Sequence, residues 1–104
     1  MKSMIIALSA TLMMLAGTAQ AADAELINYG SEQAYIQKCM ACHGENGISG
    51  TSQYPNIKGQ KAMYIVEQLK AYRAGTRLNT LMQSQARGLD DRTIEALAAY
   101  YSTR

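Results

Sequence analysis

Residues 39–43 read CMACH, in which two cysteines stand three positions apart and a histidine directly follows the second. The 104 residues contain two cysteines and one histidine in all, so every thiol and imidazole of the chain belongs to this segment. A structural zinc site takes about four protein ligands, and disulfide-stapled scaffolds usually contain at least about four cysteines. The segment therefore favours neither of these ways of stabilising a small chain.

The C-x-x-C-H spacing is the pattern of c-type haem attachment. Two thiols at this spacing on a helical turn can reach the two vinyl groups on one edge of a haem, and the next residue then directs its imidazole at the iron. A thioredoxin-like dithiol shares the C-x-x-C part but needs a βαβ context, which this sequence does not predict. A redox dithiol and a plain disulfide stay open as alternatives, although neither accounts for His43.

The first 21 residues have the three parts of a secretory signal peptide. Lys2 supplies positive charge, residues 4–16 form an apolar run, and Ala19-Gln20-Ala21 is an A-x-A cleavage site. A spanning helix needs about 20 apolar residues, so the shorter run does not predict a membrane anchor. We expect cleavage after Ala21, a single domain over residues 22–104, and no membrane span in the mature protein.

The composition indicates a small globular protein that needs a stabilising group. Hydrophobic residues make up 48% of the chain and charged residues 17%, and the net charge is +2. This charge is too small to predict nucleic-acid binding, which usually shows a clustered basic face. Domains of roughly 80 residues bury only about 60–65% of their unfolded surface and are commonly stabilised by a metal, disulfides or a cofactor.

Hydrophobic spacing and capping residues predict an all-α chain. Residues 22–28 are expected to be a loose lead-in, and glycines mark residues 44–56 as loop. The first two expected helices are 31–40, with Ser31 as N-cap, and 61–74, ended by Gly75. The other two are 80–87, ended by Gly88, and a last helix with Asp90 as N-cap.

Four segments beyond CMACH resemble those of one family: YPNIKGQ (54–60), YIVEQLKAYRAGTR (64–77), NTLM (79–82) and LDDRTIEALAAYY (89–101). With them, residues 29–104 resemble a class I c-type cytochrome of the small bacterial periplasmic kind, and are also similar to one half of the two-haem periplasmic cytochromes. The resemblance implies a small class I cytochrome c fold, with about four helices wrapped around one covalently attached haem c.

The resemblance also implies the roles of the site residues. Cys39 and Cys42 would form the thioether bonds to the haem, and His43 would bind the iron from one side. A methionine would bind it from the other side, and the resemblance places this ligand at Met82. Met63, near the apolar stripe of the 61–74 helix, is expected to fill the core instead.

Two further residues are expected to support the ligands. In the family, the carbonyl of the proline that matches Pro55 accepts a hydrogen bond from the ligand histidine and so fixes its tautomer. Asn79 is expected to hydrogen-bond near the Met82 sulfur or a haem propionate. Arg77 and Tyr54 are in turn expected either to meet propionates or to be ordinary surface.

The family's first and last helices cross closely, through a small residue and aromatic side chains. Tyr35 on the first helix, with Leu97 and Tyr100 on the last, fits this pattern. Counted back from Cys39, the position of the small residue holds Ser31, and the nearest glycine is one residue earlier. The sequence therefore leaves the details of the crossing open.

The expected function is one-electron transfer by a periplasmic carrier that is not itself an enzyme. The alternatives are a cytochrome subunit of a periplasmic oxidoreductase complex, for example in sulfur-compound oxidation or delivery to a terminal oxidase, and a gas-binding haem protein. As a carrier, the protein is expected to be a monomer that docks transiently with redox protein partners. Lys58 and Lys61 are expected near the haem edge, where they would steer an acidic partner.

Overall fold

The computed structural model describes residues 23–104, and this part of the chain is helical and contains no strand. Its helices are α1 over residues 23–36, α2 at Cys39–His43, α3 at Ala62–Ala74, α4 at Thr80–Ala86 and α5 at Asp91–Ser102. The expected all-α fold is confirmed. The expected signal peptide, residues 1–21, lies outside the described residues.

Helix α1 begins and ends earlier than the sequence analysis indicated. Residues 23–28 are already helical, so the loose lead-in expected over residues 22–28 was wrong for the described part of that range, and Ser31 lies inside the helix rather than at its N-cap. Ile27, Gly30 and Ala34, spaced three and four apart, are buried or packed against the core. This spacing gives α1 one buried face, and burial of that face overrides the capping preference of a serine.

Helix α3 follows the prediction to within one residue. Lys61 is its N-cap, and Gly75 ends it with a φ of 79°, while the Gly75 N–H donates to carbonyl oxygens of the last turn. Glycine fits this position because the left-handed conformation penalises residues that carry a Cβ. Ile65 is buried and Leu69 packs against the core, so the predicted apolar face is the one that α3 presents to its neighbours α4 and α5.

Helix α5 contributes most of the core. Asp90 caps its N-terminus, since one carboxylate oxygen accepts the Thr93 N–H at 2.8 Å. Ile94, Leu97 and Tyr101 are the largest fully buried side chains. Burial of each aliphatic side chain of this size contributes about 1.5–3 kcal/mol.

The crossing of α1 and α5 runs through Gly30. A Cβ built at Gly30 would lie 2.7 Å from the Ala96 carbonyl carbon and 2.8 Å from the Tyr100 Cβ, too close for any residue but glycine without a shift of one backbone. The small residue of the crossing is therefore Gly30 and not Ser31. Tyr35 is 77% exposed, so its expected place in the crossing was wrong.

Candidate functional site

Helix α2 presents CMACH as a single helical turn of its own. The expected first helix is interrupted because Lys38 has a φ of 64°, and the chain turns there between α1 and Cys39. After His43, Gly44 ends the turn with a φ of 82°, and its N–H donates to the Met40 carbonyl at 3.0 Å. These two residues with positive φ separate the motif from the helix before it and the loop after it.

The His43 ring is oriented by the loop that follows it. His43 Nδ1 lies 2.9 Å from the Pro55 carbonyl oxygen. A carbonyl oxygen can only accept, so Nδ1 carries the proton and donates, which leaves the lone pair on Nε2. A neutral imidazole held in this way presents Nε2 for coordination of a metal.

The loop is itself fixed on both sides of Pro55. The Gly47 carbonyl accepts the Ile57 N–H at 2.8 Å and the Lys58 N–H at 3.0 Å. Asn56 Oδ1 accepts the Ser49 N–H at 2.7 Å. The Pro55 carbonyl is therefore held by a closed loop.

Two tyrosines of α5 anchor the residues directly after His43. The Tyr101 hydroxyl donates to the Gly44 carbonyl at 3.3 Å, and the Tyr100 hydroxyl donates to the Glu45 carbonyl. The Gly59 N–H donates back to the Tyr101 carbonyl at 3.0 Å. Sequence reasoning did not assign these roles, although two adjacent tyrosines on a buried helix face imply that both hydroxyls need partners.

Both cysteines and His43 line one cavity of about 560 Å³. Apolar side chains of α3 and α5 line it further, among them Ile65, Leu69 and Leu97. Tyr101 is buried at the cavity wall, and desolvation raises the pKa of its hydroxyl well above the usual range. The wall is therefore suited to a large, flat, mainly apolar group.

Met82 lines the same cavity as His43. Asn79 is the N-cap of α4, and its Oδ1 accepts the Met82 N–H at 2.9 Å, while the Asn79 N–H donates to Gln83 Oε1 at 3.1 Å. The carboxamide oxygen thus holds the Met82 backbone rather than the sulfur. Met63 is 68% exposed, so its expected role as core filler was wrong.

Both cysteines are free thiols, and a plain disulfide does not join them. Desolvation by burial raises the pKa of the Cys39 thiol to about 11. Redox dithiols work through a thiol whose pKa is lowered, because the thiolate is the nucleophile. The environment of Cys39 thus opposes the redox-dithiol alternative.

The donor set of the cavity fits a haem. Cys39 and Cys42 with their free thiols, and His43 with an available Nε2, line it, as does Met82, whose side chain carries a thioether. No group of three or more His, Cys, Asp and Glu side chains within residues 23–104 could hold a bare metal ion. Cys39, Cys42, His43 and Met82 would hold an iron porphyrin, which supplies a centre that accepts and releases one electron.

Arg77 and Tyr54 both line the cavity. The Arg77 guanidinium donates to Gln68 Oε1 at 2.7 Å and lies 4.7 Å from the centre of the Tyr72 ring. The exposed Arg77 side chain is therefore held against α3 at the cavity.

Comparison with known proteins agrees with this geometry. The family model described as "Cytochrome C oxidase, cbb3-type, subunit III" matches residues 30–100. The chain belongs to this family of c-type cytochromes. Cytochrome c-554(548) of Halomonas halodenitrificans is 44% identical over 72 residues, which are 66% of this cytochrome and 87% of that relative.

Two longer proteins match over part of their length. The thiosulfate dehydrogenase electron acceptor of Stutzerimonas stutzeri is 37% identical over 87 residues, covering 81% of this cytochrome and 40% of that protein. Reduced cytochrome c4 from Pseudomonas stutzeri has a TM-score of 0.69 at 29% identity, covering 75% of this cytochrome and 47% of that chain. The cytochrome thus spans less than half the length of either, like one half of a two-haem cytochrome.

The family establishes the cofactor and the general role. This class I cytochrome is an electron-transfer protein that carries covalently attached haem c. Within residues 23–104, none of the helices is both long enough and apolar enough to cross a bilayer.

Proposed function

We propose that this cytochrome is a one-electron carrier of the bacterial periplasm, with His43 and Met82 as axial ligands of a single haem c bound to Cys39 and Cys42. One observation carries the proposal: the imidazole, both thiols and the Met82 side chain line one cavity, and Nδ1 of His43 is already bonded to Pro55. The chain's part is to hold both ligands while the electron enters and leaves. A histidine and a methionine together stabilise ferrous iron more than harder ligand pairs do.

The periplasmic location rests on the expected signal peptide. Cleavage after Ala21 would release residues 22–104, and we expect this mature chain to be a monomer. Carriers of this kind dock with redox proteins through small, transient interfaces, below about 1,200 Å². The protein would not be an enzyme by itself, because the iron already has two ligands from the chain and offers no position for a substrate.

A second candidate is a haem subunit within an oxidoreductase complex. The observation in its favour is the match to a relative named "Thiosulfate dehydrogenase electron acceptor", which the chain covers only in part. A permanent subunit would co-purify with its partner from the native organism, whereas a carrier would elute alone as a monomer in size-exclusion chromatography.

The test of the carrier proposal is a visible spectrum of the purified protein in the ferric and ferrous states, before and after carbon monoxide. We expect covalent haem, a weak far-red sulfur-to-iron band in the ferric form, and a ferrous spectrum that carbon monoxide does not change. Rapid carbon monoxide binding by the untreated protein would contradict the proposal and indicate a gas-binding haem protein. An intact mass equal to the bare chain, after expression with haem-attachment machinery, would also contradict it.

A further inference from the structure

We propose that this cytochrome meets its redox partners through the mouth of the haem cavity, formed by the exposed residues of the cavity lining, which has no net charge. The partner would be a protein whose docking face likewise has no net charge and is rich in hydrogen-bonding groups. The inference rests on the proposed electron-carrier function and adds the chemistry of the partner. It is an alternative to the expectation that Lys58 and Lys61 steer an acidic partner, and the salt dependence of electron transfer distinguishes the two.

Carboxamides dominate the polar part of the mouth. Among residues 23–104, no Asp or Glu lines the cavity. Six amide side chains line it instead: Gln53, Asn56, Gln60, Gln68, Asn79 and Gln85. All except Gln68 are exposed, so they remain in reach of a docking protein.

Apolar side chains complete the mouth. Tyr64 on α3 is 45% exposed and Leu81 on α4 is 47% exposed, and both line the cavity. Protein interfaces typically combine a depletion of charge at their centre with aromatic and aliphatic side chains. Tyr64 and Leu81, together with the exposed amides, give the mouth this composition.

The charges at the cavity balance. In the described part of the chain, Lys38 and Arg77 are the charged residues that line it. A haem carries two propionates, so two cations and two carboxylates give a formal sum of zero. Lys58 and Lys61 are exposed and do not line the cavity, so they lie outside this sum of lining charges.

The balance determines which partner fits. Electrostatic steering requires a local field of one sign, and a mouth without net charge provides none. A charged partner face would lose hydration on docking without gaining an opposite charge. Carboxamides both donate and accept hydrogen bonds, so an uncharged partner face with amides and hydroxyls is the one that the mouth can satisfy.

The test measures how fast small ions of opposite charge oxidise the ferrous protein. Hexacyanoferrate(III), a trianion, and tris(phenanthroline)cobalt(III), a trication, each accept one electron from ferrous haem, which becomes ferric as the probe is reduced. For the natural sequence, we expect both rate constants to change by less than about twofold between 0.01 M and 0.5 M salt. The proposal would be overturned if the rate constant fell steeply with salt for the trianion and rose for the trication.

Isosteric variants supply the positive control. Gln53→Glu and Gln85→Glu each place one negative charge at the mouth without changing side-chain size. At 0.01 M salt, each should be oxidised about fourfold more slowly by the trianion and correspondingly faster by the trication. Gln33→Glu makes the same change on α1, away from the cavity lining, and keeps the oxygen that accepts from Gln37; its rates should match those of the natural sequence.

A second readout is independent of electron transfer. Hexacyanochromate(III) is a paramagnetic trianion that is not reduced under these conditions, and it broadens the NMR signals of nearby protons. We expect no selective broadening of the Gln53 and Gln85 side-chain amides in the ferrous protein, whereas selective broadening there would contradict the proposal. Failure of the carrier proposal looks different, because then neither probe would oxidise the protein rapidly, at any salt concentration.

Electron transfer between two copies of the protein imitates the encounter with a partner, because each copy presents the same mouth. Electron self-exchange between ferrous and ferric protein, measured from NMR line shapes, should be nearly independent of salt. Gln85→Glu should slow it about twofold at 0.01 M salt, because two like charges about 10 Å apart then face each other. Salt-dependent self-exchange in the natural sequence would contradict an uncharged mouth.

Discussion

Gly30 on α1 lies directly against the main chain of Ala96 on α5. A Cβ at residue 30 would come within 2.7 Å of the Ala96 carbonyl carbon, and a carbonyl group of a helix cannot move aside as a flexible side chain would. The closeness of α1 and α5 therefore depends on one missing methyl group.

Gly30→Ala should lower the free energy of unfolding by about 2–3 kcal/mol, because one of the two helices must shift to admit the methyl group. Chemical denaturation followed by circular dichroism measures this loss. Ser31→Ala is the control at the next position of α1 and should stay within about 0.5 kcal/mol of the natural sequence. Equal stability of the two variants would mean that α1 and α5 are not in close contact in solution.

Met82→Ala should remove the sulfur ligand and open the sixth position of the iron. The expected results are loss of the far-red band in the ferric protein, rapid carbon monoxide binding in the ferrous protein, and a lower reduction potential. Met63→Ala should retain the band and the potential, since this side chain is 68% exposed. The reverse outcome, with the band lost only in the Met63 variant, would assign the ligand to Met63.

Asn79→Ala should weaken methionine ligation without touching the sulfur. The Oδ1 that accepts the Met82 N–H is lost, and the loss of such an N-cap costs about 1 kcal/mol. We expect partial carbon monoxide binding and a weaker far-red band. Asn79→Asp keeps a capping oxygen and should restore both; if it behaves like the alanine variant, the cap is not what positions Met82.

Stability should fall at acid pH partly through the cap of α5. Hydrogen bonds from Thr93 hold the pKa of Asp90 below its ordinary value. A carboxyl whose folded pKa is lowered stabilises the fold above its unfolded pKa of about 3.9, and this contribution is lost as the pH falls through the folded value. In the wild type, Tm should therefore fall in this acid range.

Asp90→Asn should flatten this part of the acid dependence of Tm, because an uncharged oxygen still accepts from Thr93. Asp90→Ala removes the oxygen and should lower Tm at every pH. If Tm falls equally steeply with pH in the natural sequence and in Asp90→Asn between pH ~5 and ~3, Asp90 is excluded as a source of the acid sensitivity.

Local signals predicted α3 with both its ends, and the start of α5. Gly75 and Asp90 mark helix ends through backbone conformation and capping, which depend on a few neighbouring residues. The error at Ser31 arose because capping preference was weighed without the buried face formed by Ile27, Gly30 and Ala34. Met63 was misassigned because it lies two positions, about 200°, from Ile65, the buried residue of α3.

The covalent part of the site could be read from CMACH because all its residues are adjacent. Pro55 and Met82 were expected from the family resemblance, and the 2.9 Å contact of His43 with Pro55 is present. The tyrosine anchors could not be predicted in this way, since Tyr100 and Glu45 are 55 residues apart in sequence. No local pattern encodes which carbonyl a distant hydroxyl will meet.

The tyrosine anchors have a consequence for the timing of synthesis. A chain that emerges N-terminus first presents CMACH well before Tyr101 exists, and at about 5–20 residues per second the delay is roughly 3–12 s. During that interval nothing from α5 can bind the Gly44 and Glu45 carbonyls, so the motif is in an open loop. Arrival of α5 ties down the Gly44 and Glu45 carbonyls, so the segment directly after CMACH becomes fixed only once the last helix has been made.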